Sequence, residues 1–162
     1  MRNKKITRTA ILAPLAIVFG YIESLIPLPV PIYGAKVGIS NIVILFSIYA
    51  LGAPYAFGIM LIKTLCQSLL FSGLTAFFYS FLGGLFSTAV MCFAKRYMKL
   101  GMVGVSVLGG VFHNIGQLTA AGIMISTLNT FYYLPVLAVC GVISGVVIGV
   151  VTAIIIKRLN YL

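Results

Sequence analysis

Residues 27–41 read PLPVPIYGAKVGISN, and the reading of the whole chain turns on how this stretch interrupts it. Pro27, Pro29 and Pro31 lack an amide donor and have a fixed φ, so no helix passes through them. Gly34 and Gly38 let the backbone turn or approach a neighbour closely. Long apolar segments lie on either side, and Asn41 stands just inside the second one. A stiff, irregular connection that lowers a polar residue into an apolar helix reads as the rim of a ligand site. Tyr33, Gly34 and Lys36 are then candidate entrance residues.

The flanking composition fixes the solvent. Of 162 residues, 62% are hydrophobic and 7% charged, and the mean hydropathy is +1.19. A soluble domain carries roughly 25% charged residues, so this chain cannot cover itself with a wettable surface. A membrane-spanning helix needs about 20 apolar residues. The apolar runs predict six spans near 9–26, 37–51, 55–71, 74–94, 101–126 and 134–156, within a single membrane domain over 1–162. The expected fold is an all-α integral membrane bundle of six transmembrane helices. The first run contains Pro14 and has no small-residue cleavage pattern, so it reads as a span rather than a leader.

Eleven Lys and Arg residues against one acid give a net charge of +10. Their positions matter more than their sum. Arg2, Lys4, Lys5 and Arg8 precede the first span, Lys95, Arg96 and Lys99 separate the fourth from the fifth, and Lys157 and Arg158 follow the last. Basic residues at helix ends set orientation, so both termini are expected in the cytoplasm. An even number of spans keeps all three clusters on one side; an odd number does not. This arrangement argues against nucleic acid as the partner of the positive charge.

Small residues recur at helix-packing spacing. Gly141, Gly145 and Gly149 make two GxxxG steps, and Ala16 with Gly20 makes a small-xxx-small pair. Such residues let membrane helices approach closely, either within one bundle or against another subunit. Cys66, Cys92 and Cys140 lie far apart in apolar runs and read as small core residues.

Polar side chains within the spans are few, so each can be placed by depth. At 1.5 Å per residue, Lys63 lies roughly 15 Å from the inner end of its span, with Gln67 about 6 Å further out. His113 lies roughly 18 Å up the fifth span, with Asn114 beside it and Gln117 one turn on. Glu23 and Asn41 reach the same slab from the first and second spans. An intramembrane Lys or Asp costs about 2.5–3.5 kcal/mol on insertion scales, so Glu23 and Lys63 should face the interior. They either pair with each other or contact a ligand. Phe77, Phe78, Tyr79 and Phe81, with the loop residues Phe131, Tyr132 and Tyr133, form an interfacial aromatic belt or else line a pocket for a flat ligand, with Tyr132 as a lid residue. Paired carboxylates, HExxH, CxxC and the P-loop are all missing from the sequence. No catalytic, metal or cofactor site is expected, and ATP-driven work needs an ATPase on another chain.

The segments PxPxxGAKVGISNIVIL and HNIGQL, with TRTAILAPLA near the start, resemble the small bacterial membrane proteins labelled heptaprenyl diphosphate synthase component I, or the Gx transporter family. These in turn resemble the substrate-capture S components of energy-coupling factor (ECF) transporters. The resemblance implies an S-component-like bundle in the bacterial cytoplasmic membrane that binds a small molecule in its outer half. It also implies partner ATPase and coupling subunits, met through small residues of the first helix, here Ala13, Ala16 and Gly20. The enzyme name lacks its chemistry, because one acidic residue cannot build the DDxxD magnesium site of a prenyltransferase.

These readings converge on a substrate-binding subunit for a small organic anion with an apolar or aromatic body. Lys63 neutralises the anion, while Asn41, Gln67, His113, Asn114 and Gln117 orient it. Glu23 holds Lys63 or a ligand donor. A stand-alone secondary transporter, or the membrane subunit of a quinone-, flavin- or isoprenoid-linked redox assembly, is the alternative.

Overall fold

A computed structural model describes residues 2–25, 38–126 and 128–159. Within them the chain forms helices α1 (Arg2–Ser24), α2 (Ile39–Ala50), α3 (Ala53–Gln67), α4 (Gly73–Tyr97), α5 (Met102–Ile125) and α6 (Leu134–Arg158). A π-helical turn, Ser68–Ser72, joins α3 to α4, and a 3-10 turn, Leu128–Tyr133, leads into α6. No strand occurs among the described residues. The segment expected as a loop at 127–135 therefore contains helix on both sides of Tyr133. Pro135 falls in the first turn of α6, where a missing amide donor costs nothing.

Three helical stretches are long and apolar enough to cross a membrane: Asn3–Ser24, Ala53–Tyr97 and Asn129–Arg158. The middle one folds back on itself. Gly73 has φ 75°, a conformation that favours glycine, and reverses the chain so that Gly84 of α4 lies against Met60 of α3. The exterior is apolar: Leu69, Leu74, Ile123 and Ile143 are all exposed. The interior holds Glu23, Lys63 and Gln117. That inversion is stable only where lipid is the solvent. The chain is a helical, multi-pass membrane protein.

Glycine sets the close contacts. A Cβ on Gly110 would lie 2.3 Å from the carbonyl oxygen of Gly141, and one on Gly145 would lie 2.6 Å from the Cα of Val107. Gly149 meets Val103 in the same way. The GxxxG face of α6 is thus spent on α5, inside the bundle. On α1, Ala13 and Ala16 are buried beside Val43, Leu51 and Ile59 of α2 and α3.

Helix α2 is short, 12 residues or about 18 Å. Gly38, just before it, touches the side chain of Ile148, more than halfway along α6. Its first turn therefore starts deep in the bundle. Its other end is capped by two lysines: Lys5 Nζ donates to the Leu51 carbonyl (3.1 Å) and Lys95 Nζ to the Ile48 carbonyl (2.7 Å). These ammoniums also lie over the rings of Tyr55 and Tyr49. Cations favour the negative end of a helix.

Candidate functional site

The start of α2 is also where the buried acid is held. Glu23, 6% exposed near the end of α1, accepts from the Gly38 amide and, at 3.3 Å, from the Ser40 hydroxyl. Gly38 has φ 82°, and a Cβ there would lie 3.0 Å from Ile148, so backbone geometry and space both call for glycine. One residue after Ser40, Asn41 turns to α3, where its Oδ1 accepts from Lys63 Nζ at 3.3 Å. Lys63 is 9% exposed. A carboxylate and an ammonium therefore flank the first turn of α2, whose free amides attract negative charge.

These groups line one cavity in the middle of the bundle, together with Gln67, His113 and Asn114. All six helices contribute polar atoms: Glu23 from α1, Ser40 and Asn41 from α2, Lys63, Thr64 and Gln67 from α3. Ser80 and Ser87 come from α4, Ser106, His113 and Asn114 from α5, and Ser144 from α6. The apolar part of the wall is aliphatic or thioether, from Ile44, Met60, Met91 and Ile148. No Phe or Tyr stands in the wall among the described residues. The void measures about 40 Å³ to the centre of a water-sized sphere, against the roughly 10–15 Å³ that one water needs. It holds about three such groups as it stands, and a larger guest must part the walls.

Backbone contacts hold the lining side chains in place. Gln67 Nε2 donates to the Ile17 carbonyl at 3.4 Å, crossing α1 at Gly20. A Cβ on Gly20 would stand 1.3 Å from that nitrogen, so the position must be glycine for Gln67 to lie there. Asn114 Nδ2 donates to the Leu137 carbonyl of α6. His113 packs over Gly83, with Cε1 3.0 Å from where a Cβ would be.

Six of the seven expected ligand residues meet in this cavity: Glu23, Asn41, Lys63, Gln67, His113 and Asn114. Gln117 does not. It is buried against Gly83, one turn beyond the lining. Tyr132, expected as a lid, is 84% exposed and stands outside the wall. Tyr33, Gly34 and Lys36 lie outside the described residues. The small residues expected at a partner interface have neighbours within the bundle. Ala13 and Ala16 face the core and Gly20 seats Gln67, whereas Ile11, Leu15, Val18 and Ile22 form the exposed face of α1. The sequence reading also missed the serines, since a hydroxyl in an apolar helix carries no depth penalty that fixes its direction.

The family model for heptaprenyl diphosphate synthase component I matches residues 12–155. The chain belongs to that family, also labelled the Gx transporter family. The match runs from the middle of α1 to nearly the end of α6, so it touches every helix that lines the cavity. Comparison with curated proteins and with solved structures finds no match.

Proposed function

We propose that this chain is the substrate-binding subunit of an uptake system for a small organic compound with a carboxylate or phosphate, energised by separate ATPase and coupling subunits. The observation that carries this reading is the convergence of polar side chains from all six helices on one interior cavity. A structural network alone needs partners for its charges; it does not need a void lined by hydroxyls and amides. Lys63 meets the anionic group, Asn41 and Gln67 orient it, and His113 and Asn114 close the α5 side. The sequence reading favoured an apolar or aromatic body, but the aliphatic and hydroxyl wall suits a more polar one. A coupling subunit would meet the exposed face of α1 rather than its buried small residues.

The family's description names an isoprenoid diphosphate synthase, which supports an isoprenoid-linked reading. A seven-isoprene tail needs a long apolar channel, and a diphosphate needs several cations or a metal. The described wall offers Lys63 as its one formal cation and a void of about 40 Å³, so the polar-substrate reading is the stronger.

Mass spectrometry of small molecules released from the purified protein is expected to find a compact polar anion. Its rebinding should weaken at least tenfold in Lys63→Ala, since a charge-assisted contact contributes about 1.5–3 kcal/mol. Unchanged affinity in that variant, with the fold intact by thermal melting, would remove Lys63 from the site. Release of a prenyl diphosphate instead would favour the isoprenoid reading.

A further inference from the structure

The cavity holds two formal charges of opposite sign, and they do not sit at one point. Glu23 contacts Gly38 and Ser40, while Lys63 contacts Asn41. Ser40 and Asn41 are adjacent residues whose Cα atoms are about 3.8 Å apart, so the two charged groups are held from neighbouring positions at the start of α2. Both line the same void, and with a neutral His113 the described wall has no net charge.

A neutral cavity chooses its guest by charge balance. A lone anion seated on Lys63 leaves Glu23 as an uncompensated charge in a low-dielectric interior, and a lone cation seated on Glu23 does the same to Lys63. A guest carrying both charges satisfies each wall group and leaves the site neutral. Glu23 has capacity for this, because a carboxylate offers about four acceptor positions and the Gly38 amide and Ser40 hydroxyl occupy two of them. The Ser40 hydroxyl and the Asn41 side chain line the path between the two charges.

We infer that the substrate is a zwitterion, with its anionic group on Lys63 and Asn41 and its ammonium on Glu23 and Ser40. This rests on the substrate-binding reading above and narrows its ligand class. The geometry calls for a short spacer between the charges, such as that of an ω-amino acid, over the small polar surface at the start of α2.

The test is binding to the full-length protein in detergent of ω-amino acids with two to six carbons. Each is paired with its N-acetyl derivative (a monoanion) and its methyl ester (a monocation). At least one zwitterion is expected to bind ten times or more tighter than both derivatives, and Glu23→Gln should erase its advantage over the N-acetyl form. The glutamine keeps an oxygen for the Gly38 amide, and the derivative comparison on the unaltered protein stands even if that variant fails to fold. An N-acetyl form that binds as well as its parent overturns the zwitterion and leaves the anion site standing. Lack of binding by the whole panel, alongside Lys63-dependent rebinding of the co-purified compound, overturns the zwitterion alone. Lack of both overturns the substrate-binding reading as well.

Discussion

A Cβ built on Gly20 would stand 1.3 Å from the amide nitrogen of Gln67, so an alanine there must push that side chain off the Ile17 carbonyl and out of its position in the cavity wall. Gly20→Ala is expected to weaken binding of the co-purified compound about 3–10-fold, the value of one ordinary hydrogen bond. Gln67→Ala should do the same, and the double variant should be no worse than the worse single one. Additive losses in a titration of the four proteins would show that Gly20 acts elsewhere. Spacing alone left bundle packing and a partner contact both open for Gly20, because a small residue on an apolar helix does not say which neighbour fills the gap. Glu23, Lys63 and the HN pair at 113–114 were legible for the opposite reason: in lipid their desolvation cost forces them inward. Serine and threonine hydroxyls can satisfy themselves on their own helix, as Ser47 does on Val43 and Thr152 on Ile148. Those that face the void instead, such as Ser87 and Ser106, cannot be told apart in the sequence. Gln117 shows the limit of face arguments: it follows His113 by four residues, yet that one turn carries it past the cavity to pack on Gly83.

The six helices were legible to within a few residues at most ends, because apolar runs separated by Pro, Gly or basic clusters leave little choice. Their pairing was not. The GxxxG face at Gly141, Gly145 and Gly149 could have met any small surface, and the structure gives it to α5 at Val103, Val107 and Gly110. An added methyl at Gly145 would lie 2.6 Å from the Val107 Cα and 2.9 Å from the Ser106 carbonyl, both backbone atoms that cannot rotate away. Gly145→Ala is therefore expected to cost about 1–3 kcal/mol by overpacking. Gly58→Ala in α3, with nothing within 4 Å of the new methyl, should be neutral or stabilise by up to about 1 kcal/mol. Unfolding of the two variants side by side in detergent separates these cases; equal effects would mean that α5 and α6 do not pack as described. Helix α2 carries the other lesson at this scale. Its brevity was visible in the sequence, but the reason lay in tertiary contacts. It begins inside the bundle under Glu23 and ends on Lys5 and Lys95, so opposite charges hold both ends of a helix too short to span.

Among the described residues, the basic clusters share one end of the molecule. Lys5 and Lys95 reach the same end of α2, and Gly149, just over two turns before Lys157 and Arg158 finish α6, packs on Val103 at the start of α5. The three basic clusters thus gather where α1 begins, α4 ends, α5 begins and α6 ends. The glycine contacts also run antiparallel: Gly84 on Met60, Gly116 on Leu82, Gly145 on Val107. With the basic end placed in the cytoplasm, this order is expected to leave the turn at 128–133 on the far side. The check is thiol labelling of intact cells in a background where Cys66, Cys92 and Cys140 are replaced by alanine. A membrane-impermeant maleimide is expected to label Tyr132→Cys, whose position is 84% exposed, and to spare Lys99→Cys and Lys157→Cys until the cells are opened. The cavity gives this result a functional edge. Its charged pair sits where α1 approaches the connection into α2, and α1 begins at the basic end, so this topology turns that pair away from the cytoplasm. A substrate is then expected to reach Glu23 and Lys63 from outside, as the proposed uptake requires. Labelling of Lys99→Cys from outside in unbroken cells would invert the bundle and make the same cavity an export or cytoplasm-facing site.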